Sequence, residues 1–134
     1  MQGLQELWDI SLPQESWATS GYLGAINSGQ ASCGLLIGCS IAIGLRTGRD
    51  KDCLPLEDEK ARDRAAAEVH LFYEDFLHEF KSTLCRDLIG CDLSQPSDTE
   101  RYMNEKVYED RCFKFFEFVM NRFMDLDQKE MTVM

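Results

Sequence analysis

The sequence predicts an all-α fold, and two observations carry the prediction. Several segments repeat their apolar residues at the 3.6-residue helical period, and nowhere does a strand-like alternation persist for more than a few residues. The chain has 134 residues, 44% of them apolar, which is one domain's worth of chain and enough to form a core without disulfide staples. With no internal repeat, the expected architecture is a compact single-domain bundle of about four to six helices, with residues 1–12 and 128–134 its least ordered parts.

The elements follow in order. A short helix is expected over about residues 2–10, before Pro13, and a second from residues 13–16 toward Gly21. Residues 21–30, punctuated by Gly21, Gly24 and Gly29, are expected to form a turn. An apolar helix then spans about residues 32–46. Its apolar stretch, 31–45, contains Ser32 and Ser40 and falls short of the ~20 residues a membrane span needs, so it reads as a buried core helix. Gly48 and the charged run Arg49-Asp50-Lys51-Asp52 suit a solvated loop that continues to Pro55.

A long helix is expected from near Glu57 to Lys81, with Ala65, Val69, Phe72, Tyr73, Phe76 and Phe80 on its apolar side. A short helix over about 83–89 is closed by Gly90 in the usual C-terminal glycine position. After a loop over 91–97, Ser97 or Asp98 would cap a last helix reaching about Asp127, with a break near Asn104. Its apolar face would hold Tyr108, Cys112, Phe115, Phe116, Val119, Phe123 and Leu126.

Charge narrows the function. Fourteen basic against 24 acidic side chains give a net charge of −10, and the chain lacks the clustered Lys and Arg that bind phosphates. Nucleic acid and anionic membrane are therefore poor partners, and no membrane insertion is expected. The N-terminus has neither a basic stretch nor an apolar signal core, so the expected location is cytoplasmic. In a reducing compartment, cysteines are more often catalytic, redox-sensing, metal-binding or buried than cross-linked.

Six cysteines, at 33, 39, 53, 85, 91 and 112, are the unusual count. No spacing is CxxC, CxxCH or a paired zinc-finger pattern, so any site must be assembled in three dimensions. Cys33 and Cys39, six apart on one helix, lie about 120° apart around its axis and cannot pair while the helix is intact. Cys33 falls in the first turns of its helix, where unpaired N–H groups favour a thiolate. Beside it, Gly34 and Gly38 leave a face without bulk that admits another helix or a flat ligand; tight helix packing is the plainer reading. Cys85 is expected in the first turn of a helix capped by Ser82 or Thr83, with Arg86 adjacent, both of which would lower its pKa. Cys112 sits on an apolar face, where an inert core cysteine is the plain reading and a resolving partner the functional one. Cys53 reads as incidental, and Cys39 and Cys91 are ambiguous.

Other patterns are weaker. His70, Glu74 and His78 share the i, i+4 spacing of a metal chelate, but their stripe drifts toward solvent and reads as a solvated face. The phenylalanine-rich run 113–123 reads as core rather than a cofactor pocket. There is no Walker loop, GxSxG elbow or GxGxxG.

Taken together, the glycine-punctuated lead-in, Cys33-Gly34-Leu35-Leu36-Ile37-Gly38, the helix end Ile43-Gly44-Leu45-Arg46-Thr47-Gly48, a long charged helix reaching Phe80-Lys81, Cys85-Arg86-Asp87-Leu88 and Cys112 resemble the small bacterial C_GCAxxG_C_C family. The resemblance covers about residues 21–120 and implies a redox-active protein. It points to Cys33, Cys85 and Cys112 as the reactive thiols and to Gly34 and Gly38 as the small-residue face. The chain departs from the family pattern in two places: Leu35 stands where the family has alanine, and residues 1–32 lack a cysteine that family members carry on an N-terminal helix. It would be a divergent member.

The leading expectation is thus dithiol/disulfide exchange, with Cys33 or Cys85 attacking and another of Cys33, Cys85 and Cys112 resolving. Two alternatives stand beside it: a thiolate-held metal or iron–sulfur site, and a non-catalytic helical interaction module. The sequence names no cofactor and no redox partner, and it leaves a homo-oligomer open.

Overall fold

A computed structural model describes residues 2–9, 14, 18–47 and 55–132, with side chains through Met124 except that of Pro55. The helices are α1 (Gln2–Leu7), α2 (Tyr22–Asn27), α3 (Gly34–Thr47), α4 (Pro55–Phe80), α5 (Cys85–Ile89), α6 (Pro96–Asn104) and α7 (Phe113–Thr132). A 3₁₀ turn, Thr19–Gly21, leads into α2, and a π-helical turn, Tyr108–Cys112, leads into α7. Among the described residues no strand forms beyond one isolated bridge, Ser32 to Leu84. The fold is all-α, as the periodicity requires.

Several boundaries differ from expectation for local reasons. Residues 22–27 are helical rather than a turn: Gly21 has helical φ −61° and Gly24 sits inside the helix, so only Gly29, at φ +71°, acts as the stop. α3 begins at Gly34 rather than Ser32, because Ser32 is drawn into the bridge. The backbone of α7 stays helical to Thr132, beyond the expected end. Of the expected helix from residues 13–16 toward Gly21, only Gln14 and residues 18–21 are described, and its end is the 3₁₀ turn Thr19–Gly21; the loop at 48–54, with Cys53, lies outside the described residues.

One core joins the helices. Leu4 of α1, Leu36, Cys39, Ala42 and Ile43 of α3, Phe72 and Phe76 of α4, and Phe115, Val119 and Phe123 of α7 are buried together with Leu88, Ile89 and Cys91. The expected face of α4 is the one that packs: Ala65, Val69, Tyr73 and Phe80 border the same cluster. Aromatic edges tie α4 to α7, with Phe76 within 5.9 Å of both Phe115 and Phe118, and Phe80 4.8 Å from Phe115, centroid to centroid. On α7 the buried face runs through Phe115, Val119 and Phe123, which are four apart. Phe116, expected in that face, lies one helical step off it and is 43% exposed, its ring tip beside Gly3 of α1. Phe113 is 62% exposed.

Two turns position the thiols. α4 stops at Lys81, whose left-handed φ of 63° turns the chain into an extended segment over 82–84. α6 stops at Asn104, and Lys106, at φ 51°, turns the chain into the π turn that ends on Cys112.

Candidate functional site

The bridge is the local device that brings two distant cysteines together. The Cys33 N–H donates to the Thr83 carbonyl at 2.8 Å, and the Cys85 N–H donates to the Ala31 carbonyl at 3.0 Å. Ser32 and Leu84 face each other between these bonds, so alternation puts Cys33 and Cys85 on the same, opposite side of the ladder as diagonal neighbours. Such neighbours have Cα atoms about 7–8 Å apart, against about 5.5–6 Å in a disulfide. A few ångströms of movement would join them.

Cys112 reaches this pair from the π turn, which packs against α5. The three thiols sit close enough to feel one another's charge: Cys85 is repelled by Cys33 and Cys112, and Cys33 by Cys112. All five cysteines among the described residues are free; Cys33, Cys39 and Cys91 are buried, and Cys85 and Cys112 are partly exposed.

Three phenols surround the thiols. The Tyr22 hydroxyl donates to the Ser32 carbonyl at 3.0 Å. Tyr73 borders the core and feels Cys33 and Cys39. Tyr102 places its hydroxyl 3.7 Å from the Cys112 sulfur. Burial first, then the neighbouring thiols and phenols, raises the pKa of all three. A cluster in which every acid raises its neighbours holds one negative charge far more easily than two.

The individual thiols differ from their sequence reading. Cys33 is the cap residue of α3 rather than a residue of its first turn. The N–H groups of Leu35 and Leu36 reach its sulfur and favour the thiolate, as expected of a helix start, yet burial outweighs them and the pKa is raised. The expected lowering at Cys85 does not occur either: burial, then Cys33, Cys112 and Cys91, push it up to about 11. Its helix is preceded by an extended Leu84 with no side-chain cap, and Arg86 lies 3.9 Å from carboxylate oxygens of both Asp87 and Asp92 rather than on the thiol. Cys39, deep under the site, is pushed up to about 12, chiefly by burial. Cys91 is 1% exposed and raised by burial.

Gly38 is buried, and at Gly34 a Cβ would stand 3.0 Å from Ile26 Cδ1, so the neighbour there is α2. Leu35 is half-buried against the core. His70, Glu74 and His78 are all exposed, as expected of a solvated face. Among the described residues no group of three or more His, Cys, Asp or Glu side chains is arranged to hold a metal ion, and no helix is long and apolar enough to cross a membrane. Sequence reasoning missed Tyr102 and the bridge; Tyr102 belongs to a short polar helix with no apolar period to draw attention to it.

Fold and site define a class: small all-helical proteins that bring thiols from separate parts of the chain near one another, partly buried. The chain belongs to the C_GCAxxG_C_C family, whose model, described as "Putative redox-active protein (C_GCAxxG_C_C)", matches residues 1–126. The match covers the thiol cluster and the cysteine-free N-terminal segment alike, and it carries a redox role at that coarse level. No curated protein and no solved structure matched the sequence.

Proposed function

We propose that the protein is a thiol redox protein in which Cys33, Cys85 and Cys112 carry dithiol/disulfide exchange. The observation that carries the reading is the convergence of the three sulfurs, one from the bridge, one from the start of α5 and one from the π turn, around mutually repelling acids. Oxidation fits such a cluster. One thiolate of the site attacks one sulfur of an acceptor disulfide; that sulfur is retained in a mixed disulfide and its partner sulfur leaves as a thiolate. A second site thiol loses its proton to solvent and attacks the mixed disulfide, releasing the acceptor's other sulfur. Two site thiols are oxidised by two electrons, the acceptor disulfide is reduced to two thiols, and the crowded acids are reduced in number.

Residue-resolved mass spectrometry after differential alkylation tests this. Treatment with oxidised glutathione is expected to yield an intramolecular disulfide between two of Cys33, Cys85 and Cys112 and to leave Cys39 as a thiol. Recovery of all three as free thiols would sink the reading.

A further inference from the structure

Among the described residues, Cys112 is the one of the three converging sulfurs with a hydroxyl side chain in hydrogen-bond reach. Tyr102 Oη lies 3.7 Å from Cys112 Sγ, and in the neutral pair either atom can donate. Once the sulfur ionises the ambiguity ends, since a thiolate only accepts, and the phenol's bond to it becomes charge-assisted and stronger.

The surroundings hold the phenol in place for that task. Arg101, its neighbour on α6, donates to the Gly90 carbonyl at 2.6 Å, and Asp98 accepts the Asp92 N–H at 2.7 Å, so α6 is fastened to the end of α5. The Tyr102 ring lies against Tyr108 of the π turn, centroids 5.9 Å apart. The left-handed turn at Lys106 and the π turn then bring Cys112 back to a tyrosine ten residues earlier. The acids whose charge reaches this pair are Cys85 and Cys33 from the bridge side and Cys91 from the end of α5; the Tyr108 phenol lies against the Tyr102 ring, and Arg101 and Arg111 are the pair's neighbours along the chain.

We propose that Tyr102 is the hydrogen-bond donor that makes Cys112 the attacking sulfur of the site and, in the reverse direction, the leaving one. The assignment rests on the exchange reading above and reverses the sequence expectation that Cys33 or Cys85 attacks. With oxidised glutathione, the Cys112 thiolate displaces one glutathione thiolate and becomes the mixed disulfide. Cys85 or Cys33, giving its proton to solvent, then attacks Cys112 Sγ and displaces nothing but the second glutathione. The balance is two protein thiols and one glutathione disulfide converted to one protein disulfide and two glutathione thiols. During this the Tyr102 hydroxyl keeps its own proton.

The test follows the alkylation rate of each cysteine by mass spectrometry across pH 6–10 in the full reduced chain. In the wild type Cys112 is expected to react first at pH 7. Tyr102→Phe keeps the ring and removes the donor; it is expected to slow Cys112 about tenfold at pH 7 and to converge with the wild type at the alkaline end. Tyr108→Phe is expected to leave the profile in place. An unchanged profile in Tyr102→Phe, an equal change in Tyr108→Phe, or Cys85 or Cys33 reacting first in the wild type would each overturn the assignment. If Tyr102→Phe does not fold, the Cys33→Ser, Cys85→Ser double variant decides: glutathione must accumulate on Cys112, and its failure to do so overturns the assignment equally. Failure of the exchange reading is separate, being the absence of any disulfide among the three cysteines in the wild type under oxidised glutathione.

Discussion

Cys33 holds three structural contacts in one residue. Its carbonyl starts α3 by accepting the Ile37 N–H at 3.3 Å, its N–H closes the bridge onto Thr83, and its sulfur receives the N–H groups of Leu35 and Leu36. A sulfur is a weaker acceptor than a hydroxyl oxygen, and serine is among the best capping residues. Cys33→Ser is therefore expected to unfold in urea within about 1 kcal/mol of the wild type, whereas Cys33→Ala, which leaves the two N–H groups without an acceptor, is expected to lose about 0.5–2 kcal/mol. Equal losses in both variants would show that the thiol does no capping. The comparison also identifies serine as the substitution that removes the sulfur with the least disturbance to the fold around it.

At the scale of elements, α4 and α7 are joined by rings, and Phe76 is the centre of that contact, touching Phe72, Phe80, Phe115 and Phe118 while buried itself. Phe76→Ala is expected to cost about 3–5 kcal/mol, read as a lowered urea midpoint with helical circular dichroism retained at zero denaturant. A loss under 1 kcal/mol would mean that the rings repack without it. The face that Phe76 belongs to was legible in the sequence because Val69, Phe72, Tyr73, Phe76 and Phe80 repeat at the helical period over several turns. α2 was not, since three glycines within nine residues outweigh the weak period of Tyr22 to Asn27. Phe116 was misplaced because residues 115 and 116 are both phenylalanines, and their period alone does not say which of two adjacent stripes turns inward. The Ser32–Leu84 bridge left no trace at all: two residues paired across fifty positions carry no periodicity, yet that pairing decides which thiols meet. The candidate cysteines came from helix starts and family pattern, which indicate where a thiol is useful and not which hydroxyl stands beside it.

For the whole molecule, the buried thiols tie stability to alkaline pH. A cysteine ordinarily ionises near 9.0, whereas folding pushes Cys39 up to about 12 and Cys85 up to about 11. Between these values the unfolded chain has lost protons that the folded chain keeps, so the folded state binds more protons and stability falls as pH rises. The contribution is whole below about pH 9 and is lost as pH climbs toward the folded values. Each thiol that titrates only on unfolding steepens the fall by about 1.4 kcal/mol per pH unit. Cys39 is the cleaner probe, being 2% exposed, while the partly exposed Cys85 is screened by solvent and contributes less. Urea unfolding under reducing conditions at pH 8.5, 9.5 and 10.5 is expected to show a midpoint that drops with each step, and Cys39→Ala is expected to start lower but fall less steeply. The net charge of −10 supplies a repulsion that grows with every further proton lost, and that background is common to both proteins, so the difference in slope isolates the buried thiol. Parallel slopes in the two would mean that Cys39 ionises in the folded protein as readily as in the unfolded one.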